Sequence, residues 1–392
     1  MRVLVIGRCL PDARNPFFGI FELQQARALA NAGHDIVFGF VDGRKIHRVR
    51  SFKPVSQADS ASPVEIRGQR LPVKGLPWPI VRSLRTAALR RVVDDAVAVL
   101  GGIDVVYAHF PAMTLTAPFI DHLRRDGIPL VALEHWSRVA DGTIPRKRRP
   151  AAAATAAYAY RYCAVTPSLA ESIEKQFSGE LANPVDVIPN IVEPPQGMRD
   201  RPMPAADDAA HADFRLVAIG RLISDKRFDI VLRSIALLPD DVRGMTKLTI
   251  IGGGEEQRTL ERLARQLSIE DAVEFAGRLD NADVWPVLYE SDAYVTASPL
   301  ETFGVPVAEA WSAGVHCVAP DNNPLRPHFT DENGTLFRVN DANSLAVALA
   351  DAHRKQPTLS RERISVLARE RYASTSVVAR ITGIFEDAIA AK

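Results

Sequence analysis

Cysteine is scarce in this sequence, and the cysteines that are present lie far apart. Among 392 residues there are three, Cys9, Cys163 and Cys317. An odd number of thiols at these spacings forms neither a disulfide framework nor a zinc-binding pattern. We therefore expect a protein of a reducing compartment and predict that it is cytoplasmic.

Long hydrophobic runs and an excess of one charge are missing as well. No stretch approaches the roughly 18 apolar residues that a membrane-spanning helix needs, and a strand predicted at residues 2–6 leaves no room for a signal peptide. The 48 basic and 47 acidic residues give a formal net charge of +1, which argues against wholesale nucleic-acid binding. A chain of this length and composition can form two globular domains of ordinary size.

What the sequence does contain is an alternation of short β-branched strands with helices, which predicts parallel α/β sheets. In the first half a helix is predicted at residues 20–31, and strands are predicted at residues 2–6, 35–38, 104–107, 129–133, 164–166 and 185–188. Residues 193–213 are rich in Pro, Ala and charge and predict an interdomain linker. In the second half strands are predicted at residues 215–219, 248–251, 272–275, 293–296 and 316–319. We expect ligands at the carboxyl ends of these strands.

The most informative segment is residues 298–318, SPLETFGVPVAEAWSAGVHCV. It places two carboxylates, Glu301 and Glu309, eight residues apart around Phe303 and Gly304, just where Pro306 indicates the start of a helix. Free backbone N–H groups at a helix start can hold an anionic phosphate. Either glutamate alone is better explained as an acid favoured by the helix dipole. The pair around Phe-Gly favours a sugar-nucleotide site.

Two cations after the strand at residues 215–219 suit the diphosphate of such a ligand. Arg221 offers a fork that can hold two oxygens, whereas Lys226 acts as a mobile point charge on one. Fixed cations of this kind stabilise the charge of a departing nucleotide. Asp225 lies beside Lys226, so a solvated pair in which the two neutralise each other remains an alternative.

In their order and spacing these motifs resemble those of the retaining glycosyltransferases of family 4, the glycosyl transferases group 1, which have the GT-B architecture. The resemblance covers nearly the whole chain. The matching elements are residues 19–21, 107–109, 134–137, 187–190, 220–222, 226, 228–229, 250–254, 275–278 and 332–334, together with Glu301 and Glu309. It implies an α/β fold of two doubly wound, Rossmann-like domains that face each other across a cleft.

The resemblance also implies an activity and a domain arrangement. A hexosyltransferase-type enzyme (EC 2.4) would move a sugar from a nucleotide-diphosphate sugar to an acceptor hydroxyl, with a front-face return, in bacterial polysaccharide or glycolipid assembly. Residues 1–192, joined by a C-terminal helix at about 372–392, would bind a glycan or lipid-linked acceptor. Residues 214–371 would bind the nucleotide sugar. No metal or other cofactor is expected, and the Asp-x-Asp metal signature is absent.

Residue roles follow from the same resemblance. Glu309 would bind the ribose hydroxyls and Glu301 the hydroxyls of the donor sugar. The resemblance assigns catalysis to His135, Arg221, Lys226 and Glu301, and donor binding to Gly19, Gly253, Gly254, Gly277, Arg278, Leu279, Phe303, Gly304 and Glu309. His109 is assigned to the acceptor side. A lone histidine is more often structural than catalytic, and for His109 the structural explanation is favoured.

Some positions depart from the family pattern. Glycine, paired glycines and an acid are common where this sequence has Arg227, Asn322-Asn323 and Arg326.

Two basic stretches in the first half bear on the identity of the acceptor. Residues 67–91 contain seven basic side chains and no acid, and residues 146–149 read Arg-Lys-Arg-Arg. These basic stretches suit a lipid-diphosphate acceptor or an anionic membrane surface on the inner face of the membrane; ordinary solvated faces explain them equally well.

The sequence also bears on other functions of α/β proteins. A nicotinamide-dependent dehydrogenase needs G-x-G-x-x-G after a strand, and residues 252–255, Gly-Gly-Gly-Glu, do not meet that pattern. A two-carboxylate glycosidase is rejected because the surrounding helix start suits a phosphate. A GT-B sugar-nucleotide epimerase and a non-catalytic GT-B scaffold remain alternatives.

Overall fold

The computed structural model of the protein describes residues 1–11, 18–45, 54–198 and 213–392. The chain divides into two compact units. Unit 1 consists of Met1–Ile191 together with Ser374–Lys392, and unit 2 is Val192–Ala373. Most of the predicted linker, residues 199–212, lies outside the described residues, as do residues 12–17 of the long loop after the first strand.

The described helices and strands alternate along both units. Those of unit 1 before the linker are β1 (Arg2–Gly7), α1 (Ile20–Asn31), β2 (Asp35–Lys45), β3 (Val55–Ala58), β4 (Val64–Lys74), α2 (Trp78–Leu100), β5 (Val105–His109), α3 (Pro111–Thr114), α4 (Ala117–Arg125), β6 (Leu130–Glu134), α5 (Ser137–Ala140), α6 (Arg149–Tyr158), β7 (Arg161–Ala164), α7 (Pro167–Phe177) and β8 (Asp186–Val187). Those of unit 2 are β9 (Phe214–Ile219), α8 (Phe228–Ala236), α9 (Asp240–Met245), β10 (Thr246–Ile251), α10 (Gln257–Gln266), β11 (Val273–Gly277), α11 (Asn281–Glu290), β12 (Ala293–Val295), α12 (Val305–Ser312), β13 (His316–Pro320), β14 (Gly334–Phe337), α13 (Ala342–Lys355) and α14 (Arg361–Tyr372). The last helix, α15 (Ser374–Ala390), belongs to unit 1.

The sheet of unit 1 has the strand order β3-β4-β2-β1-β5-β6-β7-β8 in the described part of the chain. All neighbours are parallel except β3, which pairs antiparallel with β4. Every residue of β5 and of β6 is buried, as expected for parallel strands covered by helices on both faces. The carboxyl ends of the adjacent strands β1, β5 and β6 therefore lie side by side at one edge.

Helix α15 packs on this unit, although it comes last in the chain. The ring of Phe385 meets Tyr107 of β5 edge to face, with centroids 5.3 Å apart. Arg380 Nη1 donates to the Val187 carbonyl at 2.8 Å, and His34 Nε2 lies 2.9 Å from Thr382 Oγ1. The C-terminal helix thus contributes to the core of unit 1.

The sheet of unit 2 is parallel, with the order β11-β10-β9-β12-β13-β14 among the described strands. Its core contains Leu216 and Ile250 on the strands and Leu232 and Leu349 on the covering helices, all buried. In this doubly wound arrangement β9 and β12 are neighbours although β10 and β11 come between them in sequence. The predicted α/β class with two mostly parallel sheets is confirmed.

Some elements differ from the sequence-based expectation. The predicted strand at residues 164–166 is wrong, because β7 ends at Ala164 and Thr166 Oγ1 instead accepts a hydrogen bond from Leu169 N as the N-cap of α7. The basic residues 67–91 belong to strand β4 and helix α2, neither of which was predicted. Within the described ranges, no helix has both the length and the apolar character needed to cross a bilayer.

Candidate functional site

The loops that follow β9, β10 and β11 are joined to one another at the carboxyl edge of the unit 2 sheet. Leu222 N donates to the Gly253 carbonyl at 3.2 Å, and Gly252 N donates to the Gly277 carbonyl at 2.7 Å. The predicted donor-binding residues Gly253 and Gly254, in the loop after β10, thus lie beside Gly277 at the end of β11. Ligands of open α/β sheets bind at this kind of edge.

Gly252 shows why the loop after β10 is glycine-rich. Its φ of 145° lies outside the range that L side chains adopt, and a Cβ there would overlap the carbonyl oxygen of Gly220. Next to it, the side chain of Arg278 lies so close to Gly253 that a Cβ on Gly253 would be 3.0 Å from Nε. Arg278 is exposed and Leu279 is partly buried, so both residues after β11 are accessible to a ligand.

The two predicted phosphate-binding cations differ in their surroundings. Arg221 is exposed, and its guanidinium forms no hydrogen bond or ion pair with any residue that the structure describes. Lys226 Nζ forms an ion pair with the carboxylate of Glu301, across 75 residues of sequence. Both side chains of this pair are about one-fifth exposed, 21% for Lys226 and 22% for Glu301. Lys226 is therefore bound to Glu301 and not to the neighbouring Asp225.

The segment after Glu301 enters α12 through Gly304, whose φ of 82° is the left-handed conformation that favours glycine. Phe303 anchors this turn, since its ring is buried and meets Tyr372 edge to face with centroids 5.8 Å apart. The backbone amides of Phe303, Gly304 and Val305 donate to no acceptor in the described part of the chain. The helix start predicted from sequence is present, with N–H groups left for a ligand.

Glu309 is the most buried carboxylate of this edge, with 8% of its surface exposed. Its Oε1 accepts a hydrogen bond from Asn281 Nδ2 at 3.1 Å. Burial raises the pKa of Glu309 to about 7, and the Asn281 hydrogen bond opposes that rise. A carboxylate can accept about four hydrogen bonds, so Glu309 has unused acceptor capacity that two vicinal hydroxyls can fill.

The departures from the family pattern at Arg227 and at Asn322-Asn323 have structural explanations. Arg227 has a φ of 52°, the conformation for which glycine is preferred, and its guanidinium holds Asp229 with bonds of 3.0 and 3.1 Å. Asn322 Nδ2 donates to the Pro299 carbonyl at 2.7 Å. The amide of Asn323 is buried near Gly304, and its Nδ2 has no acceptor among the described residues. Asn323 is thus a further polar group at the start of α12.

In unit 1 the ends of β5 and β6 bring two predicted residues into contact. His109 Nδ1 lies 3.0 Å from His135 Nε2, and the ring of Phe110 stacks on His135 with centroids 4.5 Å apart. The Arg8 guanidinium, at the end of β1, covers Phe110 at 3.6 Å and forms an ion pair with Glu22 at 2.7 Å. The three strand ends thus form one compact cluster.

Both histidines of this cluster are held neutral. Burial lowers the pKa of His109 to about 4, and burial, then His109, then Arg8 lower the pKa of His135 well below its ordinary value. Two neutral rings share one proton in their contact, so one donates and the other accepts. His109 is fully buried whereas His135 keeps 7% exposure. Any acceptor-side role of His109 stays a prediction.

The loop that carries His135 is fixed by Glu134. Its Oε1 accepts the backbone N–H groups of His135 and Trp136, each at 3.0 Å, and its Oε2 accepts the Tyr162 hydroxyl at 3.1 Å. Burial raises the pKa of Glu134 to about 7, although these hydrogen bonds oppose the rise.

The predicted donor-binding residue Gly19 lies at the same edge. It is the N-cap of α1, and its carbonyl accepts a hydrogen bond from Leu23 N at 3.2 Å.

Sequence patterns did not single out several groups of these two edges. Arg8 follows a predicted strand directly, so the strand-end signal that identified His135 would also have found it. Asn281, which holds Glu309, and the pairing of Lys226 with Glu301 depend on contacts between distant segments, and nothing local signals them. In the described ranges, no three His, Cys, Asp or Glu side chains are grouped so that they could hold a metal ion.

Comparison with known protein families gives two matches that follow each other along the chain. The sequence profile described as Glycosyltransferase Family 4 matches residues 22–196. The profile described as Glycosyl transferases group 1 matches residues 204–371. The two profiles divide the chain close to the boundary between units 1 and 2.

Curated relatives match over part of their length. A lipopolysaccharide core biosynthesis glycosyltransferase of Rhizobium meliloti is 30% identical over 135 residues, which is 34% of this chain and 38% of that protein. An N-acetyl-alpha-D-glucosaminyl L-malate synthase of Bacillus anthracis is 28% identical over 181 residues, 44% of this chain and 45% of that protein. In both comparisons the match spans less than half the length of the relative.

Solved structures share the fold over the full chain. The apo form of a lipopolysaccharide outer core galactosyltransferase has a TM-score of 0.72 at 17% identity and covers 99% of each chain. An Anabaena protein solved in complex with UDP, Alr3699/HepE, has a TM-score of 0.69 at 18% identity and covers 99% of this chain and 100% of its own. At these identities the similarity establishes the fold alone.

Proposed function

Because the chain belongs to the family 4 glycosyltransferases, hexosyltransferase-type enzymes of GT-B architecture, we propose that it moves a sugar from a nucleotide-diphosphate sugar to an acceptor hydroxyl with retention of configuration. One observation carries the proposal. A single sheet edge combines cations that can bind phosphate with carboxylates that can bind hydroxyls. The cations are Arg221 and Lys226, which is ion-paired with Glu301. The second carboxylate is Glu309, which has unused hydrogen-bond acceptor capacity.

The proposed chemistry assigns a task to each of these groups. As the glycosidic bond breaks, negative charge grows on the departing diphosphate, and Arg221 and Lys226 stabilise it. Lys226 can exchange its contact with Glu301 for a phosphate oxygen, which leaves Glu301 to accept hydroxyls of the sugar. The leaving phosphate takes the proton of the acceptor hydroxyl on the same face. We further propose that His135, held neutral, donates a hydrogen bond to the sugar.

Substrate classes are proposed from the relatives. UDP and UDP-glucose are bound in structures of the Anabaena neighbour, and a lipopolysaccharide core enzyme is among the sequence relatives. We therefore propose a nucleotide sugar, with UDP-sugars as the first to test, and an acceptor in bacterial polysaccharide or glycolipid assembly. No metal requirement is proposed.

The proposal is tested by a screen of nucleotide sugars that combines thermal shift with donor hydrolysis. Ligand binding to the folded state raises stability by RT ln(1 + [L]/Kd), about 2.7 kcal/mol at 100 times Kd. We expect one nucleotide sugar to raise the Tm above all others and to be slowly hydrolysed. A screen in which no nucleotide sugar raises the Tm and none is consumed would contradict the proposal.

The samples of the nucleotide-sugar screen also distinguish a glycosyltransferase from two alternatives. A GT-B sugar-nucleotide epimerase would release an epimerised sugar without any acceptor, which analysis of the products detects. A non-catalytic scaffold would leave every donor intact while still binding a protein partner. The unoccupied hydrogen-bonding capacity of Glu309 and the exposed Arg221 favour a ligand-binding enzyme over a scaffold.

We also propose that helix α2 of unit 1 associates with an anionic membrane. The first turns of α2 expose Ile80 at 48% and Leu84 at 42%, and Leu76 just before the helix is 44% exposed. Exposed Arg90 and Arg91 follow on the same helix. An apolar row flanked by arginines is typical of a helix that lies in a membrane interface.

We expect the protein to cosediment with phosphatidylglycerol vesicles more than with phosphatidylcholine vesicles. Each interfacial arginine contributes about 1 kcal/mol, and added salt should release the protein because screening limits this attraction to about 8 Å at physiological ionic strength. Ile80→Ser with Leu84→Ser should lower the bound fraction, whereas Leu237→Ser, at an exposed leucine of unit 2, should not. Equal binding to both vesicles would leave these residues as a solvated face.

A further inference from the structure

Arg85 is a buried arginine that forms no ion pair with a carboxylate of the described ranges. It lies on α2 with 7% exposure, and its Nη2 donates to the carbonyls of Met113 and Thr114 at 3.1 and 3.2 Å. Its Nε is buried without an acceptor among the described residues. The guanidinium thus has donors that the observed contacts leave unused, because it carries five N–H groups.

A second guanidinium converges on the same carbonyl. Arg148 Nη1 donates to the Met113 carbonyl at 2.8 Å, so one backbone oxygen holds two cations. Arg148 is partly buried and lies over the ring of Trp78 at 4.7 Å, with Lys147 Nζ at 5.6 Å from the same ring. In the described part of the chain, no carboxylate forms an ion pair with Arg85 or Arg148.

This arrangement is electrostatically unfavourable as it stands. Burial, and then the like charge of Arg148, lower the pKa of Arg85 to about 10, and Asp42 acts in the opposite direction. Burial also lowers the pKa of Arg148. Paired guanidinium groups away from water are usually accompanied by a counter-ion. Arg85 alone already donates to both carbonyls at the end of α3. The anchoring of α3 therefore does not explain the second arginine.

The position of the pair relates it to the histidine cluster of unit 1. The carbonyls that it holds belong to residues at the end of α3, a few residues after His109 at the carboxyl end of β5. Thr114 Oγ1 donates back to the His109 carbonyl at 2.8 Å. The two arginines therefore lie near the sheet edge where ligands of such folds bind.

We propose that Arg85 and Arg148 form an anion subsite in unit 1 that binds a phosphate group of the acceptor substrate. Two guanidinium forks match the several oxygens and the double charge of a phosphate better than those of a single carboxylate. The Trp78 ring adds an apolar wall beside them. That the phosphate belongs to an acceptor rests on the proposed function, whereas the binding of phosphate does not.

The test is a titration of the whole protein with inorganic phosphate at constant ionic strength, followed by the Tm, with chloride as the reference anion. We expect Arg148→Gln to weaken phosphate binding about ten-fold or more, because a charge-assisted bidentate contact is lost. Arg85→Lys, which keeps the charge and loses the fork, should weaken it as well. Arg125→Gln, at an exposed arginine of α4, should respond as the unaltered protein does.

Two results would overturn the subsite. One is an unchanged phosphate response in both Arg148→Gln and Arg85→Lys. The other is a response that disappears in Arg221→Ala, because phosphate would then have occupied the nucleotide edge of unit 2. If Arg85→Lys does not fold, Arg148→Gln alone decides. The nucleotide-sugar screen is independent, so a protein that binds phosphate at Arg148 but turns over no donor contradicts the proposed function and leaves the subsite intact.

The source of the phosphate is distinguished with vesicles that contain phosphatidic acid or, at equal charge, phosphatidylglycerol. Preferential binding to phosphatidic acid that free phosphate displaces, and that Arg148→Gln loses, supports a lipid headgroup. Binding of free phosphate without any such preference supports a soluble phosphorylated acceptor.

Discussion

Lys226→Ala is expected to lower kcat about 100- to 1,000-fold, the usual effect of removing one fixed donor that stabilises transition-state charge. Lys226 is in ion-pair contact with Glu301. Its removal therefore has two consequences: the departing diphosphate loses a cation, and Glu301 loses the partner that holds it. We expect Arg221→Ala to reduce kcat by a similar factor and to weaken nucleotide binding as well, because the exposed guanidinium of Arg221 has its fork available for two phosphate oxygens.

The measurement is kcat for each variant and for Lys247→Ala, with the nucleotide sugar identified in the screen as the donor. Lys247 is an exposed lysine of β10 whose Nζ donates to the Asp271 carbonyl at 3.3 Å, so its removal controls for the loss of one positive charge. Circular dichroism and the Tm confirm folding. If both Lys226→Ala and Arg221→Ala turn over at the rate of Lys247→Ala, these two cations do not stabilise the leaving group.

Local patterns were sufficient for most of the fold and for part of the site. Helix α1 spans the predicted residues 20–31, and a helix begins at Val305, where Pro306 and Gly304 indicated it. These signals are local, because turn residues and hydrophobic periodicity act over a few positions. The edge elements β3 and β14 were not predicted, since short strands at sheet edges carry weak hydrophobic patterns.

What local patterns could not supply is the choice of partner for each polar group. The pairing of Lys226 with Glu301 spans 75 residues, and the bond of Asn281 to Glu309 spans 28. The contact of His109 with His135 arises because β5 and β6 are neighbours in the sheet. Such contacts depend on strand order, which individual motifs do not encode. For the same reason the sequence alone predicts a single basic surface at residues 67–91, although Arg85 is buried and Arg90 is exposed.

The two glutamates that bracket Phe303 and Gly304 lie in different environments, and this leads to opposite expectations for their amide variants. Glu301 neutralises the charge of Lys226, so Glu301→Gln should leave binding of the free nucleotide unchanged or tighter and lower kcat about 10- to 100-fold. Glu309 is buried and bound to Asn281. Glu309→Gln should weaken binding of the free nucleotide about ten-fold, because a neutral amide oxygen is a poorer acceptor for hydroxyls than a carboxylate.

The pH dependence of stability gives an independent check on Glu309. Its folded pKa of about 7 is raised above the ordinary value of 4.5, so the folded protein retains this proton more strongly than the unfolded chain does. The associated stability is fully present below about pH 4.5 and is lost as the pH rises through 7, by about 3 kcal/mol in all. Glu309→Gln removes this titration, and its Tm should therefore fall less between pH 5 and pH 8 than that of the unaltered protein.

Three measurements on one set of variants separate the role of Glu301 from that of Glu309. They are calorimetry with the free nucleoside diphosphate, kinetics with the nucleotide sugar and Tm values across pH. Asn281→Ala is the matched control on the Glu309 side, because it removes the Asn281 hydrogen bond and leaves the carboxylate in place. It should raise the pKa of Glu309 further and steepen the loss of Tm with pH. Equal losses of nucleotide affinity in Glu301→Gln and Glu309→Gln would mean that both carboxylates face the nucleotide. The ion pair of Glu301 with Lys226 would then have to open before the nucleotide binds, and the sugar would depend on other groups of this edge.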